Sequence, residues 1–127
     1  MILLDTHVWF WFLSDSPDLK QDVKSRIERE PEKVLVSSIS VWELLVLARK
    51  QRIELSPSPE RYVRDALAAY PFQTAWVTDE IAILSETLQF SHNDPADRFI
   101  AATAIAHQAK LATEDSRLRS LDWLECL

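Results

Sequence analysis

Short apolar segments alternate with longer helical segments along this chain, and that alternation constrains the fold more than any other feature. The predicted strands are residues 1–4, 34–36, 72–77 and 111–113, with a candidate last strand at 123–124. The predicted helices are residues 7–13, 18–30, 41–51, 60–69, 78–88 and 95–109, with a short turn or helix at 115–121. Strands that alternate with helices predict an α/β fold, in which a parallel sheet is covered by helices on both faces.

The chain contains no glycine, and this absence excludes several classes of enzyme. The phosphate-binding loop of nucleoside triphosphatases and the dinucleotide-binding fingerprint both need glycine, because their backbones approach phosphate closely. The nucleophile elbow of the α/β-hydrolases also carries glycine on both sides of its serine. A kinase, a GTPase, a dinucleotide-dependent dehydrogenase or an α/β-hydrolase is therefore not expected.

Length and composition are those of an ordinary globular protein. The 127 residues are 47% hydrophobic and 27% charged, which suits a single domain over residues 1–127. No apolar run approaches the roughly 20 residues that cross a bilayer, and the first residues lack the basic start of a secretory signal. We therefore expect a cytoplasmic protein with no membrane contact. The single cysteine, Cys126, forms neither an internal disulfide nor a metal cluster.

Four acidic residues stand directly after a predicted strand or at the start of a predicted helix: Asp5, Glu43, Asp97 and Asp115. The carboxyl ends of parallel strands meet at one edge of a sheet, so these four side chains are expected to lie near one another. Crowded carboxylates repel, and no lysine or arginine is adjacent to Asp5 or Glu43 in the sequence. The sequence therefore predicts an all-oxygen site for Mg²⁺ or Mn²⁺.

Each acid except Asp5 also has a simpler structural explanation. Glu43 follows Ser40 by three residues, which is the spacing of a helix capping box. Asp97 lies in the first turn of a predicted helix, where the helix dipole favours an acid. Asp115 follows Thr113 and is placed to cap a turn. Asp5 ends an apolar strand, so its carboxylate must be paired, hydrated or bound to a metal.

The three histidines do not indicate a zinc site. His7, His92 and His107 are scattered, and no pair of histidines has the spacing of zinc ligands. The net charge of −6 would argue against a nucleic-acid ligand, because phosphate contacts favour a basic surface. Divalent ions held in an acidic pocket remove that objection, since a bound ion is the largest local charge in such a site.

In these motifs the chain resembles the PIN-domain ribonucleases, and in particular the VapC-type toxins of bacterial toxin–antitoxin pairs. The matching segments occur in family order: Leu3-Leu4-Asp5-Thr6-His7, Ser37-Ser38-Ile39-Ser40-Val41-Trp42-Glu43, His92-Asn93-Asp94-Pro95-Ala96-Asp97-Arg98, Ile100-Ala101-Ala102-Thr103-Ala104 and Ala112-Thr113-Glu114-Asp115. The resemblance covers essentially the whole chain. It implies a three-layer α/β/α sandwich around a central, mostly parallel sheet of about five strands.

The resemblance also implies roles for individual residues. Four catalytic acids would form the site that binds Mg²⁺ or Mn²⁺: Asp5, Glu43 and Asp97 as ligands, directly or through water, and Asp115 as the fourth acid of the metal site. Thr113 would be an auxiliary hydroxyl near Asp5. Arg98 would be a second auxiliary residue, which pairs with a carboxylate or steers RNA. Asp94 has the position of a helix cap.

The implied activity is metal-dependent hydrolysis of RNA phosphodiester bonds, with tRNA or rRNA as the expected substrate. The implied partners are a second copy of the chain in a homodimer and a cognate antitoxin protein. The basic residues that are candidates to follow the RNA backbone are Arg49, Lys50, Arg52, Arg61 and Arg64. The aromatic residues Trp9, Trp11 and Phe12 are interpreted as core or as a groove for a partner.

Two other functions remain open on the sequence. One is a PIN-like binding or regulatory module without catalysis, although an intact set of four acids argues against it. The other is a Mg²⁺-dependent phosphohydrolase of another class. A phosphatase of the haloacid-dehalogenase type would carry a second aspartate two residues after Asp5, where this chain has His7.

Overall fold

The computed structural model describes residues 1–90 and 93–127 and contains a central sheet flanked by helices. The strands are β1 (Ile2–Leu4), β2 (Val34–Ser37), β3 (Gln73–Ala75) and β4 (Lys110–Ala112). The helices are α1 (Thr6–Leu13), α2 (Gln21–Arg29), α3 (Ser38–Arg49), α4 (Pro59–Ala69), α5 (Asp79–Thr87), α6 (Pro95–His107) and the short α7 (Ser116–Arg119). A 3₁₀ turn, Pro31–Lys33, leads into β2.

All strand pairings in this sheet are parallel, and β1 lies in the middle. The strand order is β3-β2-β1-β4, and Leu4 is in register with Val36 of β2 and Ala112 of β4. The residues that follow these strands therefore meet at one edge of the sheet. This edge receives Asp5, the start of α3 and Thr113.

The sheet is buried on both faces, as a parallel sheet requires. On one face Ile2, Leu4 and Val36 pack with α1, α3 and α4. On the other face Leu3 and Leu111 pack against α6, whose core residues include Ala101 and Ala104. Small alanines let α6 approach the sheet closely. The predicted α/β/α sandwich is confirmed.

The last strand is where the sequence prediction was wrong. Over the residues that the structure describes, the sheet has four strands rather than about five. Instead of a strand at 123–124, a single parallel bridge joins Leu111 to Cys126. The Trp123 indole donates a hydrogen bond to the carbonyl of Gln89 and stacks edge-on against Phe90. The apolar pair at 123–124 therefore packs on the helical layer, and one bridge is too short for a strand.

Smaller differences concern the ends of elements. The strand predicted at 72–77 stops at Ala75, and Trp76 and Val77 are exposed. Helix α2 is shorter than predicted and begins at Gln21. The first residue of the motif His92-Asn93-Asp94-Pro95-Ala96-Asp97-Arg98 lies outside the described residues. Within the described ranges, no helix is long and apolar enough to cross a membrane.

The fully buried leucines of the sheet are expected to carry much of the stability. Replacing Leu111 by alanine removes a side chain that is 0% exposed and leaves a cavity between β4 and α6. Such a change costs about 2–5 kcal/mol in the free energy of unfolding, measured by urea denaturation. Leu67→Ala, at a side chain that is 43% exposed, is the matched control and should cost about 0.5 kcal/mol. Equal losses for the two variants would contradict the assigned core.

Candidate active site

Asp5 is buried at the end of the central strand, and both of its carboxylate oxygens are hydrogen-bonded. The residue caps α1, where Oδ1 accepts the backbone N–H of Thr6 at 2.7 Å. The Thr113 hydroxyl donates to Oδ2 at 2.6 Å and accepts the backbone N–H of Asp115 at 3.0 Å. The short loop after β4 therefore fixes Asp5 from the neighbouring strand, and Thr113 lies next to Asp5 as the resemblance implied.

Glu43 projects from the second turn of α3, and the capping-box explanation for it was wrong. The cap of α3 is Ser37, whose hydroxyl accepts the backbone N–H of Ile39 at 3.0 Å. Ser40 is instead fully buried within the helix and lies 2.8 Å from the hydroxyl of Thr6. The Thr6 hydroxyl is near enough to Glu43 to lower the pKa of that carboxyl. Either hydroxyl of the Thr6–Ser40 pair can be the donor.

Asp94 and Asp97 divide two tasks at the start of α6. Asp94 is the helix cap, and its Oδ1 accepts the backbone N–H groups of Ala96 and Asp97 at 3.0 and 3.3 Å. Asp97 is 8% exposed and lies in the first turn of α6. Its Oδ2 lies 3.4 Å from a guanidinium nitrogen of Arg117.

Asp115 caps α7 and also binds Arg117. Its Oδ1 accepts the backbone N–H groups of Arg117 and Leu118 at 2.8 and 3.4 Å. Its Oδ2 lies 3.2 Å from the same guanidinium nitrogen that reaches Asp97. The capping explanation is thus correct for Asp115, although it does not remove the side chain from the site.

These side chains line one cleft of about 300 Å³ at the carboxyl edge of the sheet. Six carboxylates and Arg117 face it together with two aromatic rings. The lining residues are Asp5, His7, Trp11, Glu43, Asp94, Asp97, Glu114, Asp115 and Arg117. The structure therefore brings all four predicted acids to the same cleft, while their action on metal and substrate stays a prediction.

Burial, hydrogen bonds and neighbouring charges shift the pKa values of the acids in the cleft. Burial raises the pKa of Asp5, although the hydrogen bonds from Thr113 and Thr6 oppose it. Burial also raises the pKa of Glu43, and the nearby charges of Asp5, Asp94 and Asp97 raise it further against the Thr6 hydrogen bond. For Asp115, burial alone would raise the pKa, but the hydrogen bonds and charge of Arg117 outweigh burial and lower it. The negative charge of Asp5 and Glu43 is therefore the least compensated.

The donor chemistry of the cleft fits a hard divalent ion. The donors at its wall are carboxylate oxygens, which Mg²⁺ and Mn²⁺ prefer, and a cation would relieve the repulsion around Asp5 and Glu43. Within the described part of the chain, no three acidic, histidine or cysteine side chains already stand in an arrangement that holds a metal. Arg117 already spans two of the acids.

Arg98 points away from this cleft. Its Nε donates to the carbonyl of Ser85 at 2.9 Å and lies 3.4 Å from the Glu86 carboxylate. Its guanidinium also covers the ring of Phe90 at 4.5 Å. Arg98 thus pairs with a carboxylate of α5, and its role toward RNA stays a prediction. These contacts join α5 to α6.

The aromatic residues of α1 separate into core and cleft. Trp9 is 1% exposed and Phe12 9% exposed, and both belong to the core beside the sheet. Trp11 is partly buried and lines the cleft, with its ring 6.3 Å from that of His7. A buried core thus accounts for Trp9 and Phe12, whereas Trp11 faces the cleft.

Sequence reasoning missed the supporting hydroxyls and the basic residue of the cleft. Thr6 and Ser40 are separated by 34 positions, and their contact follows from the packing of α1 on α3. Arg117 lies two residues after Asp115, and that spacing was the available signal for it. Glu114 also lines the cleft and forms a 3.4 Å ion pair with Lys20, so it contributes charge at this edge.

The raised pKa of Asp5 predicts how stability changes with pH in the presence of EDTA. Between the ordinary pKa of 3.8 and the raised value, the folded protein holds a proton that the unfolded protein has lost. Stability therefore falls as pH rises through this window, and the full cost remains at pH 7. Asp5→Asn should remove the cost, so its unfolding free energy should exceed that of the wild type at pH 7. The advantage should shrink as pH falls towards 4, measured by urea unfolding at each pH.

Asp65→Asn is the control for this comparison, because Asp65 is exposed and pairs with Arg61 on the surface of α4. This variant should not gain stability at pH 7. If Asp5→Asn is less stable than the wild type at every pH, ionised Asp5 is not a cost to the fold.

Comparison with known proteins agrees with the motifs. The model of the PIN domain matches residues 2–124 of this chain. Ribonuclease VapC22 of Mycobacterium tuberculosis is 37% identical over 120 residues, which cover 94% of this chain and 90% of that protein.

Solved structures share the fold at lower identity. VapBC2 from Rickettsia felis, bound to a promoter DNA fragment, matches with a TM-score of 0.71 and 20% identity, covering 100% of this chain and 98% of that chain. DNA-bound VapBC from Salmonella typhimurium matches with a TM-score of 0.73 and 18% identity, covering 99% of this chain and 96% of that chain. The prediction from the motifs is confirmed: this chain belongs to the PIN-domain family.

Proposed function

We propose that this protein is a metal-dependent endoribonuclease that hydrolyses RNA phosphodiester bonds and acts as the toxin of a toxin–antitoxin pair. The observation that carries the proposal is the convergence of Asp5, Glu43, Asp97 and Asp115 on one cleft. The relative that is 37% identical is named a ribonuclease, which supports RNA as the substrate. Within that class, tRNA or rRNA is the substrate we expect.

We assign Asp5, Glu43 and Asp97 as ligands of Mg²⁺ or Mn²⁺, and Asp115 as the fourth acid of the site. A divalent ion supplies Lewis-acid stabilisation of the phosphoryl oxygens and makes water a better nucleophile. The protein must hold the carboxylates in place and keep them ionised. Asp5 and Glu43 are the residues for which this is hardest, because burial raises the pKa of each.

The buried hydroxyls act as positioning groups in this proposal. Thr113 donates to Asp5, and Thr6, which is hydrogen-bonded to Ser40, lies beside Glu43. A hydroxyl that donates to a carboxylate stabilises its ionised form. The other lone pairs of the same carboxylates then remain for an ion.

We further propose a cognate antitoxin and a homodimer as partners. Two of the structures that share this fold are VapBC assemblies, and a third is named a toxin–antitoxin complex from Klebsiella pneumoniae. The described surface of this chain carries large exposed apolar side chains, including Trp42 at 52%, Trp76 at 68% and Ile83 at 56%. We propose that some of these side chains contact a partner chain.

The two rival functions make different demands on the cleft. A binding module without catalysis has no use for the buried, repelling acids, which cost stability unless an ion or basic partner compensates them. A phosphohydrolase for small molecules would process a free phosphate ester and leave RNA intact. RNA cleavage with and without a chelator, together with assays of phosphate-ester hydrolysis and RNA binding, separates the three.

The purified protein should cut RNA with Mg²⁺ or Mn²⁺ present, and EDTA should abolish the cleavage. Asp5→Asn should lower the cleavage rate by at least about a hundredfold, because it removes one negative charge from the proposed metal site while keeping the shape of the side chain. Its far-ultraviolet circular dichroism should be unchanged. Asp65→Asn, at an exposed acid of α4, should cleave at the wild-type rate. The readout is gel analysis of RNA fragments, with growth arrest on expression as a second assay.

Cleavage that survives EDTA would rule out metal dependence. Full toxicity in Asp5→Asn would overturn the assignment of the site. A protein that hydrolyses small phosphate esters but cuts no RNA would favour the phosphohydrolase, and binding of RNA without cleavage by either protein would favour the silent module.

The structure divides the candidate RNA-contacting residues into two groups. Arg61 and Arg64 pair with acids on their own helix, at 3.2 Å from Asp65 and 2.8 Å from Glu60. In contrast, Arg49, Lys50 and Arg52 at the end of α3 have no acidic partner within the part of the chain that the structure describes. We propose that this second group contacts the RNA backbone.

The double variant Arg49→Gln/Arg52→Gln should weaken RNA binding and lower its salt dependence. Each phosphate contact to single-stranded RNA contributes about 0.7 to the slope of log K against log salt, so two should contribute about 1.4. Binding should be measured by fluorescence anisotropy in the Asp5→Asn background, where the RNA stays intact. The double variant Arg61→Gln/Arg64→Gln carries the same change in charge and should keep the original slope. Equal losses in both variants would show a general effect of charge rather than a contact surface.

A further inference from the structure

Arg117 holds two of the cleft acids together. One nitrogen of its guanidinium, Nη2, lies 3.4 Å from Oδ2 of Asp97 and 3.2 Å from Oδ2 of Asp115. These acids belong to different elements, because Asp97 lies on α6 and Asp115 precedes α7. The Arg117 side chain is therefore a bridge across one end of the cleft.

The bridge depends on charge rather than on packing. The Arg117 side chain is 53% exposed, and the hydrogen bonds of its guanidinium go to the carboxylates of Asp97 and Asp115. It contributes one positive charge to a cleft whose wall carries six carboxylates. Removing it would take away the guanidinium that lies between the Asp97 and Asp115 carboxylates.

A divalent ion and the Arg117 guanidinium would compete for the same oxygens. An ion held by Asp97 must approach within about 2.0–2.2 Å of its carboxylate, in the region that the guanidinium now occupies. Two positive species cannot share that region without strong repulsion.

We propose that Arg117 is the resident counter-cation of the cleft, which holds Asp97 in the metal-free protein and releases it when a divalent ion binds. This inference rests on the proposed metal-dependent function. It makes Arg117 a positioning residue that sets the affinity for the ion. Arg117 stabilises the metal-free cleft and disfavours the metal-bound cleft. Its removal should therefore destabilise the metal-free protein and tighten the binding of the ion.

A purely structural role would give a different result. If Arg117 mainly stabilised the fold around α7, its loss would destabilise the protein equally with and without the ion. If the counter-cation role is correct, its loss destabilises the metal-free protein and tightens the binding of the ion. Two measurements on the same variants, neither of which uses RNA, distinguish these roles.

The first measurement is the dissociation constant for Mn²⁺ by isothermal titration calorimetry, and the second is the melting temperature in EDTA and in saturating Mn²⁺. The proteins are the wild type, Arg117→Gln and the control Arg64→Gln, which removes an equal charge from an exposed ion pair on α4. Arg117→Gln should bind Mn²⁺ on the order of tenfold more tightly, from the repulsion of a double and a single charge a few ångströms apart. It should melt below the wild type in EDTA, and the deficit should vanish in Mn²⁺.

The other outcomes separate the two proposals. Mn²⁺ affinity that is unchanged or weaker in Arg117→Gln, while the wild type binds the ion, overturns the role of Arg117 and leaves the metal site standing. A melting deficit that persists in saturating Mn²⁺ assigns Arg117 to the fold and also overturns this role. Failure of both proteins to bind Mn²⁺ overturns the metal site and the inference that rests on it. Tighter binding by Arg64→Gln as well would show a long-range charge effect and would overturn the role assigned to the bridge.

Discussion

The parallel pairing of β1 with a strand on each side is the constraint on which the rest of the site depends. β1 is three residues long, and it is in register with β2 and β4 at every position. That register sends the chain out of three neighbouring strands at the same edge, with Asp5, the first turn of α3 and Thr113 side by side. A shift of one residue in β1 would turn Leu3 and Leu4 to the wrong faces, so the core that buries them also fixes Asp5.

The carboxylates buried at this edge of the sheet reduce the stability of the fold. Burying carboxylates is unfavourable, and the pKa values of Asp5 and Glu43 are raised by burial as a result. Hydroxyl groups at Thr113 and Thr6 offset part of the cost by lowering the pKa of these carboxyls. Asp115 is paired with the Arg117 guanidinium rather than with a hydroxyl, and its pKa is lowered instead. The cleft is therefore stabilised unevenly, with its least compensated charge at Asp5 and Glu43.

Much of this arrangement was predictable from sequence, because local and periodic signals specified it. The alternation of elements predicted the sandwich, and the position of Asp5 after an apolar strand predicted a carboxylate at its edge. The capping-box reading of Ser40 failed because its pattern is local, whereas the partner of Ser40 is Thr6 on another helix. The strand at 123–124 failed for a similar reason, since Trp123 finds its hydrogen bond at Gln89 in a different layer. Neither contact can be predicted from the spacing of residues along the chain.

The separation of charges along α3 explains how an acidic chain would bind the proposed RNA substrate. Glu43 lies near the start of this helix at the acidic edge, whereas Arg49 and Lys50 lie at its far end. Six residues of helix separate Glu43 from Arg49, a rise of about 9 Å. Positive charge at the end of a helix is also favoured by the helix dipole, so this arrangement is stable without a ligand. The net charge of −6 is a sum over surfaces of opposite sign. It therefore does not describe the local electrostatic potential between the cleft and the end of α3.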